Sequence, residues 1–190
     1  PPLSRARRAR VDCVEAVLAN VQLVEHAQRT VGHVGKSSHL RVVHAAADKV
    51  GNTTVMFAAV PPEQAGKETA GLGSGGRSYV RTRVVSVDEL SFPEHTAMSS
   101  ERPPHVTSDL PERDSMPDVL TIDTEGYDAE VLYGARRALM TGKIKFLAFE
   151  YHGTGPWRKT KLEDVIVYLD EHGYDCFWPS REDRTYRITG

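Results

Sequence analysis

The sequence has 190 residues, with 24 Lys and Arg against 26 Asp and Glu, which gives a formal net charge of −2 when the histidines are neutral. A chain of this length is the size of one domain and can bury a full core without a metal or a disulfide framework. The balanced charge argues against a general nucleic-acid binder, and no run approaches the about 20 apolar residues that a membrane span needs. The N-terminus shows no apolar signal-peptide region, so the compartment stays unassigned.

The first half of the chain alternates apolar runs with one amphipathic segment. An apolar run at residues 11–16 predicts a buried strand that ends near Glu15, and helical spacing predicts a helix over residues 18–30. The other predicted strands are residues 39–47, 53–60 and 79–90, with a turn at 48–52 and loops at 61–76 and 91–117.

The second half shows a clearer alternation of strands and helices. The pattern predicts strands at residues 118–123 and 145–152, helices at 128–140 and around 162–169, and a closing hairpin from 174–179 and 184–189. Strands that alternate with helices favour an α/β fold with a mainly parallel sheet covered on both faces. The hairpin would add an antiparallel edge.

Acidic residues follow three of the predicted strands. Glu15 ends the first, the segment IDTEGYD (residues 122–128) ends the second, and Glu150-Tyr151-His152 ends the third. In open parallel sheets, ligands bind at the carboxyl ends of the strands. We therefore expect these groups to face one crevice.

Each acidic position has two interpretations. Glu15 would accept hydrogen bonds from the ribose hydroxyls of a nucleoside cofactor, or it would pair with the dipole of the next helix. Asp123 would orient a substrate hydroxyl or amine or act as a base, while Glu125 or Asp128 would cap the following helix. Gly126 permits a tight turn or a close ligand approach.

The segment VLTIDTEGYDAEVLYGARRAL, followed by FLAFEYH and LDEHGYDCFW, resembles the C-terminal half of an FkbM-type methyltransferase domain. VDCVEAVLANVQLV, VVHAAADKVGNTTVMF and VVSVDEL resemble earlier parts of that family in the same order. The resemblance covers about residues 11–178. It implies a Rossmann-like class I methyltransferase fold, here one domain over residues 1–190.

That family's fold begins with a strand and a glycine-rich turn that binds the cofactor. PPLSRARRAR, which precedes VDCVEA, contains no glycine and no strand-like run. On this resemblance we expect the domain to be N-terminally incomplete and to lack the first strand.

The resemblance also implies an activity, namely methyl transfer from S-adenosylmethionine, typically to an oxygen of a sugar, glycan or small-molecule acceptor. Glu15 would bind the ribose and Ala47 and Asp48 would lie by the adenine. Glu150 and His152 would border the acceptor pocket, with His152 either a base or a hydrogen-bonded loop residue. The implied cofactor-binding residues are Glu15, Ala47, Asp48 and Asp123, and the implied catalytic residues are Asp123, Glu125 and His152.

Two other functions stay open on the sequence alone: a non-catalytic binding relative, and a nicotinamide-dependent Rossmann oxidoreductase. The glycines at 71, 73 and 76 spell a nucleotide-binding pattern, but no strand precedes it and no helix follows, which favours a flexible loop. The histidines lack metal-ligand spacing, so no metal is expected. Cys13 and Cys176 are expected to be buried free thiols.

Overall fold

The structure is a computed structural model that describes residues 9–31, 38–60, 78–92, 116–180 and 184–190. The chain folds into two compact units, one made of Pro1–Ala47 and Asn52–Val85 and the other of Asp48–Gly51 and Ser86–Gly190. The loop predicted at residues 61–76, with its glycine pattern, lies outside the described residues, as do residues 93–115 of the second predicted loop.

The first unit begins with a parallel strand pair joined by a helix. Strand β1 (Ala9–Glu15) leads into helix α1 (Leu18–Val31) and returns as β2 (Ser38–His44), with Glu15 paired to His44 at the end of the register. This is a strand–helix–strand connection of the kind that parallel pairs require. The helix predicted over residues 18–30 is confirmed.

A second small sheet completes the first unit. Strand β5 (Tyr79–Val85) pairs in parallel with β3 (Ala46–Ala47) and antiparallel with β4 (Thr54–Ala58). Apolar side chains of this sheet and of the β1–α1 turn form a buried cluster. Its members are Val17, Ala46, Phe57 and Val84.

Two strand predictions in this region extend too far. Residues 39–47 form two strands because the chain changes partner at Ala45: β2 pairs with β1, whereas β3 pairs with β5. The strand predicted over residues 79–90 ends at Val85, and helix α2 (Val87–Ser91) follows. Ser86 and Glu89 form a capping box, in which the Ser86 hydroxyl accepts from the Glu89 N–H (3.1 Å) and the Glu89 carboxylate accepts from the Ser86 N–H (3.0 Å).

The second unit contains another parallel strand pair. Strand β6 (Val119–Ile122) pairs with β7 (Phe146–Phe149), and helices α3 (Asp128–Tyr133) and α4 (Arg136–Met140) lie between them in sequence. A 3₁₀ turn (Gly155–Arg158), helix α5 (Leu162–Glu171) and the antiparallel hairpin β8 (Phe177–Pro179) and β9 (Thr185–Arg187) follow. The predicted hairpin is confirmed. The largest fully buried apolar side chains of this unit are Leu132, Leu139, Leu169 and Val165.

The helix predicted over residues 128–140 is wrong as one continuous element, because it breaks at Gly134. A Cβ atom on Gly134 would lie 2.5 Å from the carbonyl oxygen of Asp48, so the backbone of another segment approaches the helix there. Asp88 then caps the second piece, since its carboxylate accepts the N–H groups of Arg137 (2.9 Å) and Ala138 (2.8 Å).

The described residues therefore form a mixed arrangement of helices and small sheets, with parallel pairs inside both units. None of the described helices combines the length and the apolar character that a bilayer-crossing segment requires. Helix α5 ends at Glu171, and Gly173, which the sequence predicts as its cap, follows just beyond the end with a φ of +83°.

Candidate active site

The carboxyl ends of β6 and β7 place two acidic side chains next to each other. Ile122 and Phe149 are the last paired residues of the two parallel strands, so Asp123 and Glu150 follow at the same edge. The two carboxyl groups are close enough for Asp123 to raise the pKa of Glu150. Sequence reasoning expected acids to meet here, and within the second unit they do.

This proximity changes the acidity of Glu150. Partial burial raises the pKa of the Glu150 carboxyl, and the neighbouring Asp123 carboxylate raises it further, while His152 acts in the opposite direction. Glu150 therefore holds a proton more readily than an isolated glutamate does.

The buried Asp128 connects the chain after β6 to the chain after β7. Its carboxylate is completely buried (0% exposed) and accepts the N–H of Glu150 and the hydroxyl of Thr124, both at 3.2 Å. Tyr127 occupies the N-cap position just before α3, and its side chain makes no capping hydrogen bond. Neither Glu125 nor Asp128 is therefore the N-cap residue. Asp128 instead fixes the position of Glu150 relative to the turn after β6.

A tight turn carries Glu125 at the surface. Glu125 and Gly126 both have positive φ angles, of +53° and +110°. A Cβ atom on Gly126 would lie 2.9 Å from the main-chain carbon and oxygen of Thr154, so only glycine allows the loop after β7 to approach this closely. The exposed Glu125 side chain is thus held at the rim of the acidic pair.

His152 lies in the loop after β7 with its two ring nitrogens in different surroundings. Nδ1 is 2.7 Å from the hydroxyl of Thr154, which in turn is 3.3 Å from the carbonyl oxygen of Glu125. Nε2 lies 3.7 Å from the Glu150 carboxylate, and it is buried without a hydrogen-bond partner. His152 is therefore a hydrogen-bonded loop residue that also faces the acidic cluster.

Trp157 packs beneath this loop. It is 4% exposed, stacks on Phe149 at a centroid distance of 6.2 Å and meets the edge of Tyr151 at 4.9 Å. These contacts make Trp157 a packing anchor for the loop.

In the first unit, Glu15 and Ala47 lie at neighbouring strand ends. The Glu15 carboxylate accepts the N–H of Val17 at 2.7 Å, and the Glu15 carbonyl accepts the N–H of Ala45 at 3.0 Å. Ala45 directly precedes β3, which ends at Ala47. A cavity of about 130 Å³ adjoins the turn that follows β1, and its apolar lining includes Ala16, Val17, Phe57 and Val80.

Asp48 belongs to the second unit and is engaged locally. Its carboxylate accepts the N–H of Lys49 at 2.6 Å, and Lys49 forms a 2.7 Å ion pair with Glu130 of α3. The cofactor-binding residues predicted from the sequence are thus divided, with Glu15 and Ala47 in one unit and Asp48 and Asp123 in the other.

Sequence reasoning missed Thr154. It connects His152 to the turn at Glu125, and its only signal is its position between Gly153 and Gly155 just after an acid-bearing turn. Gly155 has a φ of +53°, so the pair of glycines marks a loop with unusual backbone geometry.

Metal ligands and thiols give no further candidates in the described part of the chain. Within the described ranges, no three His, Cys, Asp or Glu residues are arranged to hold a metal ion. Cys13 and Cys176 are free, as expected, but half-buried rather than buried. Partial burial raises the pKa of both thiols, which disfavours the reactive thiolate.

The acid-bearing strand ends lie within a recognised family segment. The sequence model of the methyltransferase FkbM domain family matches residues 5–176. The chain belongs to the FkbM methyltransferase domain family. This confirms the resemblance read from IDTEGYD and its neighbouring segments, and it makes the protein a methyltransferase. No curated protein and no solved structure matches the chain.

Proposed function

We propose that this FkbM domain transfers the methyl group of S-adenosylmethionine to a hydroxyl oxygen of a sugar or another small molecule. The observation that carries the proposal is the pairing of Asp123 with Glu150 at the carboxyl ends of adjacent parallel strands, inside a methyltransferase family segment. When bound, the cofactor supplies an electrophilic methyl carbon. The protein must then orient the acceptor hydroxyl and take up its proton.

In this proposal the acidic pair, Asp123 and Glu150, binds the molecule that accepts the methyl group. Asp123 is exposed and accepts a hydrogen bond from the acceptor hydroxyl, which fixes the direction of the oxygen lone pair. Glu150, with its raised pKa, holds a proton more readily than an ordinary carboxyl. Glu125, at the rim, binds further hydroxyl groups of a polyhydroxylated acceptor, because an ionised carboxylate only accepts hydrogen bonds.

In this proposal Glu15 binds the ribose of the cofactor. Its bond to the Val17 N–H uses only one carboxylate oxygen, Oε1, and holds the group at the end of β1. The second oxygen is then directed to the ribose hydroxyls, which are donors that a carboxylate binds well. The apolar cavity beside Ala16 and Val17 offers an apolar surface to the adenine ring. Ala47, the last residue of β3, contributes only a small side chain.

We propose further that the chain has a class I, Rossmann-like fold over one domain, because the family segment covers residues 5–176. We assign Glu15, Ala47, Asp48 and Asp123 to the binding of the cofactor, and Asp123, Glu125 and His152 to the acceptor.

A methyl-transfer assay tests the proposal on the full-length protein. Methyl-labelled S-adenosylmethionine is offered with separate panels of sugars, small alcohols, amines and thiols, and products are identified by mass. We expect methyl ethers, and we expect Asp123→Asn to lower kcat by roughly 10²–10⁴-fold, while Glu171→Gln, an exposed change on α5, leaves it unchanged. Transfer to amines or thiols alone, or an active Asp123→Asn, would contradict the assignment.

A further inference from the structure

The hydroxyl of Thr154 contacts two groups but has only one proton to give. One partner is the carbonyl oxygen of Glu125 at 3.3 Å, and the other is Nδ1 of His152 at 2.7 Å. A carbonyl oxygen can only accept, so both contacts are hydrogen bonds only when Thr154 donates to Glu125. The Thr154 oxygen must then accept a proton from His152, which places that proton on Nδ1.

The other ring nitrogen supports the same assignment. Nε2 of His152 is buried and has no hydrogen-bond partner. The Glu150 carboxylate lies 3.7 Å away, too far for a hydrogen bond. A proton on Nε2 would be a buried donor with no acceptor, whereas a proton on Nδ1 is bonded, and leaving a buried donor unpaired is costly.

The loop geometry holds Thr154 in place. Its main chain packs against Gly126, where a Cβ atom would approach the Thr154 carbonyl to 2.9 Å. A Cβ atom on Gly155 would lie 3.1 Å from the carbonyl oxygen of Gly126. The two loops therefore meet through backbone at the Thr154 carbonyl and at Gly155, and the Thr154 hydroxyl stays between Glu125 and His152.

We propose that Thr154 is a positioning residue that keeps neutral His152 in the Nδ1-protonated tautomer and leaves Nε2 as the basic atom. The role of Nε2 as the base rests on the proposed function, but the tautomer does not. In that reaction the acceptor's O–H bond breaks, its proton binds Nε2, and the resulting imidazolium faces the carboxylate of Glu150. In this proposal the acceptor approaches Nε2 from the side of the Glu150 carboxylate, which is 3.7 Å away and belongs to a side chain that is 56% exposed.

Nitrogen NMR of the full-length protein decides the tautomer without any activity. Two-bond proton–nitrogen correlations distinguish the two neutral tautomers at a pH at which the ring is neutral. The chain has 8 histidines, so His152→Gln assigns the signal by its loss. We expect the Nδ1-protonated pattern in the wild type, and the Nε2-protonated pattern would overturn the proposal. If His152→Gln fails to fold, sequence-specific resonance assignment of the wild type identifies the His152 signal instead.

Variants of Thr154 test whether its hydroxyl sets the tautomer of His152. Thr154→Val keeps the shape and removes the hydroxyl, so we expect the Nε2-protonated form to become populated, while Thr154→Ser restores the wild-type pattern. An unchanged Thr154→Val spectrum would show that something else sets the tautomer.

Kinetics test the role of Nε2 separately. If Nε2 is the base, Thr154→Val lowers kcat by roughly tenfold or more with KM nearly constant, and Thr154→Ser recovers it. Unchanged kcat in both Thr154→Val and His152→Gln would refute the base role while the tautomer stands. A wild type that transfers no methyl group would refute the proposed function, and the NMR result would still be read independently.

Discussion

The main-chain N–H of Glu150 donates a 3.2 Å hydrogen bond to the buried carboxylate of Asp128. This bond joins the residue that follows β7 to the first residue of the helix that follows β6. Loops carry most functional side chains, and their precision depends on such supporting contacts. The acidic pair is therefore held from the buried side of the turn rather than by contacts at the surface.

Removal of the Asp128 carboxylate should cost stability. Asp128→Ala leaves the Glu150 N–H and the Thr124 hydroxyl without their acceptor in a partly buried place. We expect the free energy of unfolding to fall by about 1–3 kcal/mol, measured by urea denaturation. The matched control is Glu171→Ala, an exposed acid of α5, for which we expect almost no change. Equal effects of the two substitutions would contradict the structural role of Asp128.

The raised pKa of Glu150 predicts a specific pH dependence. Because the folded state holds the Glu150 proton more tightly than the unfolded chain, this group's contribution to stability falls as pH rises from the ordinary value of 4.5 through the raised folded pKa. Asp123→Asn removes the second-largest cause, so the Glu150 pKa should move part of the way back.

Carboxyl carbon NMR during a pH titration measures this shift directly. We expect Glu150 to titrate above the ordinary glutamate value of 4.5 in the wild type, and closer to that value in Asp123→Asn. If the Asp123 substitution leaves the Glu150 titration where it was, the two carboxyl groups do not interact.

Gly126 should not tolerate a side chain. Gly126→Ala forces a Cβ atom to within 2.9 Å of the Thr154 main chain and into a φ of +110°. Gly142→Ala is the matched control, since its φ is +63° but nothing lies within 4 Å, so it meets only the strain of about 1–2 kcal/mol for a left-handed residue. We expect thermal unfolding of Gly126→Ala at a clearly lower temperature and lower methyl transfer. A Gly126→Ala protein as stable and as active as Gly142→Ala would show that the loops can separate without consequence.

The parts of the fold with strong local signals could be predicted from the sequence. Apolar periodicity located α1 and α5, and the two runs YDCFWP and RTYRIT located the closing hairpin. The predictions failed where the end of an element is set by a side-chain hydrogen bond rather than by the apolar pattern. Ser86 and Glu89 spell a capping box within a run that otherwise resembles a strand, so β5 was extended past its end.

The site was predictable to a similar degree. Acids at strand ends pointed to Asp123 and Glu150, because parallel strands bring their carboxyl ends together. Thr154 could not be found this way, since its importance depends on a contact with a turn 29 residues earlier in the chain. The break at Gly134 was hidden for the same reason, because the backbone at Asp48 that approaches it is distant in sequence.

The account depends most on binding of S-adenosylmethionine at the end of β1, and calorimetric titration of the full-length protein measures this directly. We predict saturable binding that Glu15→Ala weakens by roughly ten- to hundredfold, from the loss of charge-assisted hydrogen bonds worth about 1.5–3 kcal/mol. Asp12→Asn, an exposed acid on the same strand, should bind as the wild type does. No binding by the wild type, or equal affinity of wild type and Glu15→Ala, would contradict the account.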